Sequence, residues 1–343
     1  MNFGDGDFVG GEVPRLASLT RLEFLERYRG RMPFVLAGGA ARSRAFRLWS
    51  PEYLAERWGT AQLEVLVHVY ELEALASDYA RAGTRVTDLA SFLRDHCAGK
   101  PGTGYLINSQ LAVFRADARD PELRVGRGRQ ANPELAGLSD DFELPSFLTE
   151  EDLVYSALFL GSSRDKSPLH YDRGGEGKTL TQIRGRKRVL LFAPDQLRHL
   201  YVRGLFEPSR TPFDQPFVSR VNLRAPDFER FPALREARAL EAVLEPGDIL
   251  YWPPFWLHDF TNLDDPTIAA VCILEELRPT AMLARELVLC LCSELERRFR
   301  ARGEQPTPET VRAFEELESL LLSPELAARK TMWGWFDAAL SGP

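Results

Sequence analysis

The residues with the most chemical content lie in Ser167-Pro168-Leu169-His170-Tyr171-Asp172. In a β-strand, side chains two apart point to the same face, so His170 and Asp172 can converge on one point. They offer a neutral imidazole and a carboxylate. A second histidine from a distant strand would complete a set of two His and one carboxylate. Such a set holds Fe(II) on one octahedral face and leaves the other positions open for substrate and O2. His258, in Leu250-Tyr251-Trp252-Pro253-Pro254-Phe255-Trp256-Leu257-His258, is the natural candidate. It follows Glu245-Pro246-Gly247-Asp248, a turn signal feeding an apolar strand. A lone His-x-Asp is a weak signal, and each histidine taken singly reads first as a packed or surface residue. The combination, with a turn before the second His, shifts the balance to metal.

Lys187 adds a third element. It follows Gly185-Arg186, which reads as a hairpin turn, and shares one strand face with Val189 and Leu191. A lysine on an apolar face needs a counter-charge or must lose its proton. A bound carboxylate would satisfy it; the alternative is a strand-end lysine whose head reaches water.

These residues must be positioned by a chain of 343 residues with net charge −7 and a 44% apolar fraction. That length allows two domains, or one large domain with appendages, and the composition excludes global disorder. Mild acidity argues against a dedicated nucleic-acid binder. The cysteines, Cys97, Cys272, Cys290 and Cys292, form no CxxC pair. A zinc site or disulfide framework is not expected, and a reducing cytoplasm fits. Met1 to Leu19 lacks the basic and apolar regions of a signal peptide, and no uncharged run of 18 residues exists to span a membrane.

Along the chain, Thr20–Arg29 reads as a short helix capped by Thr20, and Pro33–Leu36 as a strand. Ser50-Pro51-Glu52 opens a helix to Trp58, Leu63–Tyr70 reads as a strand, and Thr87–Cys97 as a helix with Thr87 and Ser91 as candidate caps. From Tyr105 to Leu277 short strands recur between Gly, Pro and Asp turns: Tyr105–Ile107, Tyr155–Leu160, Leu169–Asp172, Leu180–Ile183, Arg188–Phe192, Ala242–Leu244, Ile249–Trp252 and Ile268–Leu274. That spacing predicts an all-β sandwich or barrel. Arg115–Asn132 and the Pro-rich Leu205–Pro232 read as long loops, which often shape binding sites. Three helices are expected at Ala281–Arg300, Pro308–Leu322 and Pro324–Leu340, capping the barrel or forming a dimer face.

Taken together, Ser167–Pro194 and Glu245–His258 resemble the JmjC family of Fe(II)- and 2-oxoglutarate-dependent oxygenases. Within it the pattern is most similar to the cupin-like protein hydroxylases typified by the asparaginyl hydroxylase factor inhibiting HIF. Pro33-Phe34-Val35-Leu36, Trp49-Ser50-Pro51-Glu52-Tyr53-Leu54 and Asp227-Phe228-Glu229-Arg230-Phe231-Pro232 extend the match over roughly residues 30–275. The resemblance implies a mainly β fold, a double-stranded β-helix (cupin/JmjC jelly roll). An α/β part (1–104) would flank a core (105–279) and a C-terminal helical segment (280–343). It implies His170, Asp172 and His258 as iron ligands and Lys187 as partner of the distal carboxylate of 2-oxoglutarate. Tyr105 and Ser167 would hydrogen-bond that same carboxylate, Ser167 standing where relatives often have Thr.

The chain departs from relatives twice. Arg173–Thr179 is a longer, glycine-rich stretch, and Cys272 or Ile273 stands near the place where relatives often have a late-strand Asn that supports 2-oxoglutarate. His68, His96 and His199 are expected to be structural, and Arg184-Gly185-Arg186-Lys187-Arg188 a solvated turn rather than a nucleic-acid patch. Trp252, Phe255 and Trp256 serve either as a dry wall for the oxidising centre or as core. The activity implied is hydroxylation of a side chain in a protein or peptide, with release of succinate and CO2. The alternatives are hydroxylation of a small molecule or modified nucleoside, and a cupin binding protein without turnover. Nucleic acid and membrane are not expected partners; a homodimer through the C-terminal helices is.

Overall fold

The computed structural model describes residues 8–67, 83–100, 104–113, 132–172, 175–202, 217–275, 302–303 and 307–321. His68, residues 115–131 of the first long loop and 205–216 of the second lie outside these, as do the expected helices at 281–300 and 324–340. The strands are β1 (Val9–Glu12), β2 (Arg15–Leu16), β3 (Phe34–Leu36), β4 (Gln62–Val67), β5 (Gly83–Asp88), β6 (Leu106–Val113) and β7 (Leu153–Gly161). They continue as β8 (Lys166–His170), β9 (Glu176–Arg184), β10 (Lys187–Phe192), β11 (Ala239–Leu244), β12 (Ile249–Trp252), β13 (Leu257–Asn262) and β14 (Thr267–Glu275). Helices are α1 (Arg21–Glu23), α2 (Arg44–Leu48), α3 (Pro51–Trp58), α4 (Leu89–Cys97) and α5 (Pro308–Leu321).

Two sheets face each other. One runs β1-β11-β10-β13-β8, the other β2-β3-β12-β9-β14-β7-β6, and β4 and β5 form a separate ladder. This is the mostly β jelly roll that the motifs implied. Alternate residues of both sheets meet between them: Leu180, Trp252, Val271 and Ile273 from one, Val189, Leu191, Leu244 and Phe260 from the other. The outer face of the larger sheet is covered by α3 and α4 through Leu54, Leu89, Phe92 and Leu93 against Leu158 and Ile183. Burying both faces is why these strands read as near-continuous apolar runs rather than alternating ones.

Local signals acted as read at most helix starts. Thr20 makes a reciprocal capping box with Glu23 before a single α-turn that passes into a π-turn at Phe24–Tyr28. Ser50 caps α3 with Pro51 in its first turn. The cap of α4 is Asp88, whose carboxylate accepts from the Ser91 N–H, rather than Thr87 or Ser91 themselves. A charged acceptor at that place also meets the helix dipole, so Asp outcompetes the hydroxyls.

Two expectations need correction. Gly185-Arg186 does not close a hairpin: β9 and β10 belong to different sheets, so the turn is a corner between layers. Gly185 has φ +67°, and a Cβ there would lie 2.8 Å from the Pro266 carbonyl oxygen, so only glycine fits. The basic run around it is dispersed: Arg184 donates to the Phe46 carbonyl, Arg186 pairs with Asp264, Arg188 pairs with Glu241, and Lys187 turns inward.

One ion cluster anchors the N-terminal helix to the core. Asp152, at the start of β7, accepts from Arg21 (2.6 Å), Arg29 (2.6 Å) and the Thr149 N–H. Burial alone would raise its pKa, but these donors outweigh it and hold the carboxyl down to about 2. A carboxyl depressed in the folded state stabilises the fold above its unfolded pKa, and that stability is lost as pH falls toward 2. Asp152→Asn should therefore cost about 1–2 kcal/mol at neutral pH and almost nothing near pH 2, as chemical denaturation at both pH values would report.

Candidate metal centre

A cavity lies between the sheets, on the side where β8 and β6 are edge strands. Its walls include Tyr105, Ser167, His170, Asp172, Lys187 and His258, so the structure brings all six sequence-derived residues to one chamber of about 150 Å³. Both bordering edges are bulged. Between the His258–His170 and Phe260–Ser167 pairings, three residues of β8 oppose two of β13. The extra residue breaks the alternation and puts Ser167 and His170 on the same side. On β6 the register shifts between Leu106 and Ser109, where Asn108 adopts φ +57°. Asn tolerates that conformation, and the bulge turns Ile107 and Asn108 toward the cavity.

His170 and His258 are partners in the β8–β13 ladder, with ring centroids 4.2 Å apart. Asp172 lies two residues beyond the end of β8, not within a strand. Its Oδ1 is 3.8 Å from His170 Nε2 and its Oδ2 is 3.6 Å from His258 Nε2. One ligand atom from each of the three lies within 4.8 Å of the others.

The imidazoles are set for ligation. His170 Nδ1 donates to the Pro168 carbonyl at 2.7 Å and His258 Nδ1 to the Trp256 carbonyl at 2.9 Å. Those bonds fix the tautomer and leave each Nε2 as a lone pair facing the centre. Burial, and for His258 also the charge of His170, lowers both pKa values, that of His258 to about 3. Both rings are therefore neutral at physiological pH. Burial would raise Asp172, but Lys178, His258 and His170 together drive it well below the usual carboxylate range. Asp172 Oδ2 is buried and has no hydrogen-bond partner. An orphaned anionic oxygen between two imidazole lone pairs fits a divalent cation, and an octahedral ion on these three ligands retains open positions.

Across the cavity, Lys187 is 1% exposed and donates to the Tyr105 hydroxyl at 3.0 Å. Burial pulls its pKa down to about 7, with only Asp165 opposing. Ser167 Oγ is 3.4 Å from His170 Nδ1. The late-strand position is settled: Ile273 faces the cavity, while Cys272 points the other way into the cluster of Phe24, Phe34 and Tyr251. Of the three aromatics, Trp252 lines the cavity at 5.4 Å from the His258 ring, Phe255 belongs to the outer cluster with Tyr171, and Trp256 packs against the inner core. His96 and His199 stand away from the cavity. His96 bonds the Phe92 carbonyl and His199 accepts from Arg198, matching a structural role.

Two polar cavity residues, and one glycine packed against Tyr105, were not singled out in the sequence. Asn108 is one, and Lys178, paired with Asp172 at 2.6 Å, is the second. Lys178 shares a strand face with Leu180, which alternation could have shown, but its partner lies around a loop. The third is Gly161, where a Cβ would sit 2.8 Å from the Tyr105 ring and 2.5 Å from Asn262 Nδ2. Gly161→Ala should cost about 1–2 kcal/mol by overpacking and displace Tyr105 from Lys187. The denaturant midpoint should fall, and the ring shift should appear as altered Tyr105 resonances or fluorescence.

A jelly roll holding two histidines and one carboxylate at its open side defines the class. The chain belongs to the cupin-like domain family of JmjC type, whose family model matches residues 21–272. Among curated proteins it is similar to tRNA wybutosine-synthesizing protein 5 of Mus musculus, 27% identical over 255 residues, covering 73% of this chain and 74% of that protein. The Danio rerio protein of the same name is 28% identical over 249 residues, covering 72% and 71%. The HSPB1-associated protein 1 homolog of Danio rerio is 31% identical over 167 residues, covering 47% of this chain and 36% of that protein. Among the described residues no helix is long and apolar enough to cross a membrane.

Proposed function

We propose that this protein is an Fe(II)- and 2-oxoglutarate-dependent hydroxylase acting on a modified nucleoside or another small molecule. The observation that carries the chemistry is the meeting of His170, Asp172 and His258 at a cavity whose other side holds Lys187 and Tyr105. The likeness to proteins named for tRNA wybutosine synthesis, which extends over 72–73% of this chain, supports the nucleoside class over a protein side chain. A groove for an extended peptide would draw on the loop 205–232 and the C-terminal helices, of which 205–216, 281–300 and 324–340 lie outside the described residues.

Bound iron with 2-oxoglutarate would supply the oxidant, releasing succinate and CO2. The chain's own part is distinct. His170, Asp172 and His258 would hold the metal, with Pro168 and Trp256 carbonyls orienting the rings. Lys187, Tyr105 and Ser167 would hold the distal carboxylate, and Trp252, Phe260, Val271 and Ile273 exclude water from the centre.

Lys187 makes cosubstrate binding proton-linked. With a pKa of about 7 it is mostly neutral at pH 8, and an arriving carboxylate restores its charge. Binding should take up close to one proton at pH 8 and about 0.1 at pH 6, read from calorimetric heats in buffers of different ionisation enthalpy. The reading as a whole is tested by succinate formation from 2-oxoglutarate, and the substrate by mass spectrometry of nucleosides from deletion and wild-type cells. A nucleoside one oxygen lighter in the deletion supports it. An unchanged nucleoside pool alongside a one-oxygen shift in a protein would move the assignment to a protein substrate. We also propose a cytoplasmic homodimer through the C-terminal helices; a monomer in sedimentation at micromolar concentration would exclude the dimer.

A further inference from the structure

Lys178 is a costly residue for an interior strand. It sits on β9, paired in register with Trp252 on one side and Ile273 on the other, both apolar walls of the cavity. Its electrostatic neighbours are Asp172 first, then Tyr155 and Glu176. An apolar side chain would fill this place at less cost, because a buried ammonium loses its hydration. The fold does not ask for a cation here, so its reason lies in the cavity.

The reason depends on what happens to Asp172. Without a metal, Lys178 Nζ rests on Asp172 Oδ1 at 2.6 Å and compensates it. A divalent ion on His170, Asp172 and His258 would share that one carboxylate with the ammonium. The ion's two charges and the ammonium would then face Asp172, with Glu176 the next negative group along β9, so positive charge would be in excess at this end of the cavity, with Lys187 at its other side. Such an excess is stable only when anions enter. Lys187 accounts for one carboxylate. Ile273 offers no polar group to hold another, but its cross-strand neighbour is Lys178.

We propose that Lys178 is a second anion-binding group, at the metal end of the cavity, which takes a carboxylate or phosphate oxygen once a divalent ion occupies Asp172. The inference rests on the oxygenase reading and goes beyond it by naming a charge that an occupant must carry. The anion comes either from the metal-proximal carboxylate of 2-oxoglutarate or from the substrate itself.

The experiment uses the full chain loaded with Co(II), whose visible absorption reports its ligands, and N-oxalylglycine as an unreactive dicarboxylate of the same shape. Lys178→Met is compared with wild type, and Lys178→Arg tests rescue by a retained cation. If the anion belongs to the cosubstrate, Lys178→Met weakens N-oxalylglycine binding by at least roughly tenfold while Co(II) alone binds as tightly or more so, and Lys178→Arg recovers most of the loss. If it belongs to the substrate, N-oxalylglycine binding is unchanged, but acetate or phosphate perturbs the spectrum of the N-oxalylglycine-saturated wild type and not of Lys178→Met. The proposal is overturned if neither arm differs, or if Lys178→Met loses Co(II) alone, which would make the lysine a mere support for Asp172. A wild type that binds Co(II) but not N-oxalylglycine would instead sink the oxygenase reading, and the inference with it.

Discussion

His170→Ala should abolish both divalent-metal binding and 2-oxoglutarate turnover, while the fold survives. The ring is one of the three proposed ligands, and its Nε2 faces an Asp172 oxygen at 3.8 Å. Loss of a partner outside the ligand shell typically costs roughly 10–100-fold in metal affinity, so loss of a ligand should exceed about 100-fold. With no metal held, succinate formation should fall to background. The ring packs near His258 and Phe217 at an edge strand rather than in the deep core, so the alanine protein should keep its unfolding transition. His96→Ala is the control: it removes a buried ring bonded to the Phe92 carbonyl and should cost stability but not metal. Co(II) titration of both variants decides. Equal loss in the two would mean that the effect is unfolding and that His170 is not a ligand.

Lys187→Met should separate stability from function. In the free protein this lysine is buried, and its pKa falls from 10.5 to about 7. Between those values the unfolded chain binds a proton that the folded chain does not, so unfolding is linked to proton uptake and stability rises with pH. Below about 7 the charged lysine is buried in full and its cost is greatest. Methionine has similar length and no charge, so the variant should be more stable at pH 7 by on the order of 2 kcal/mol, or about 3 °C in melting temperature. The same change should weaken 2-oxoglutarate binding by roughly 10²–10³-fold, because a buried carboxylate would meet Tyr105 and Ser167 but no cation. Calorimetry with Mn(II) and N-oxalylglycine, beside thermal unfolding, tests both signs. A destabilised variant with intact binding would show that Lys187 supports the fold and not a ligand. Functional sites commonly store such strain, at the expense of stability.

The two variants probe opposite sides of one cavity, and the sequence reached those sides unequally. Identity and local geometry were legible. The His-x-Asp pair and the Pro-Gly-Asp turn before the second histidine marked the candidate ligands by residue type, and alternation marked Lys187 as inward among Val189 and Leu191. The Ser50 and Thr20 caps and most strand positions followed from chemistry acting within a few residues. The substrate was less legible: relatives favour a nucleoside or small molecule, where residue pattern alone favoured a protein side chain.

Which residues meet was set by long-range packing. His170 and His258 are 88 positions apart in sequence yet face each other in one ladder, and a bulge in β8 brings Ser167 to the same side. Asp172 reaches the centre from beyond its strand, not by strand alternation. Gly185 turns the chain between sheets instead of within one, and Gly161 clears space for Tyr105. Lys178 shows the limit most directly: its charge is plain in the sequence, but its meaning comes from lying against Asp172 between Trp252 and Ile273. Hydrophobic period and capping are encoded in neighbours along the chain, so the elements and the candidate ligands could be read from residue order. Strand pairing, bulges and charge contacts depend on long-range packing, which leaves no local signature, so only the folded chain could assemble them into a site.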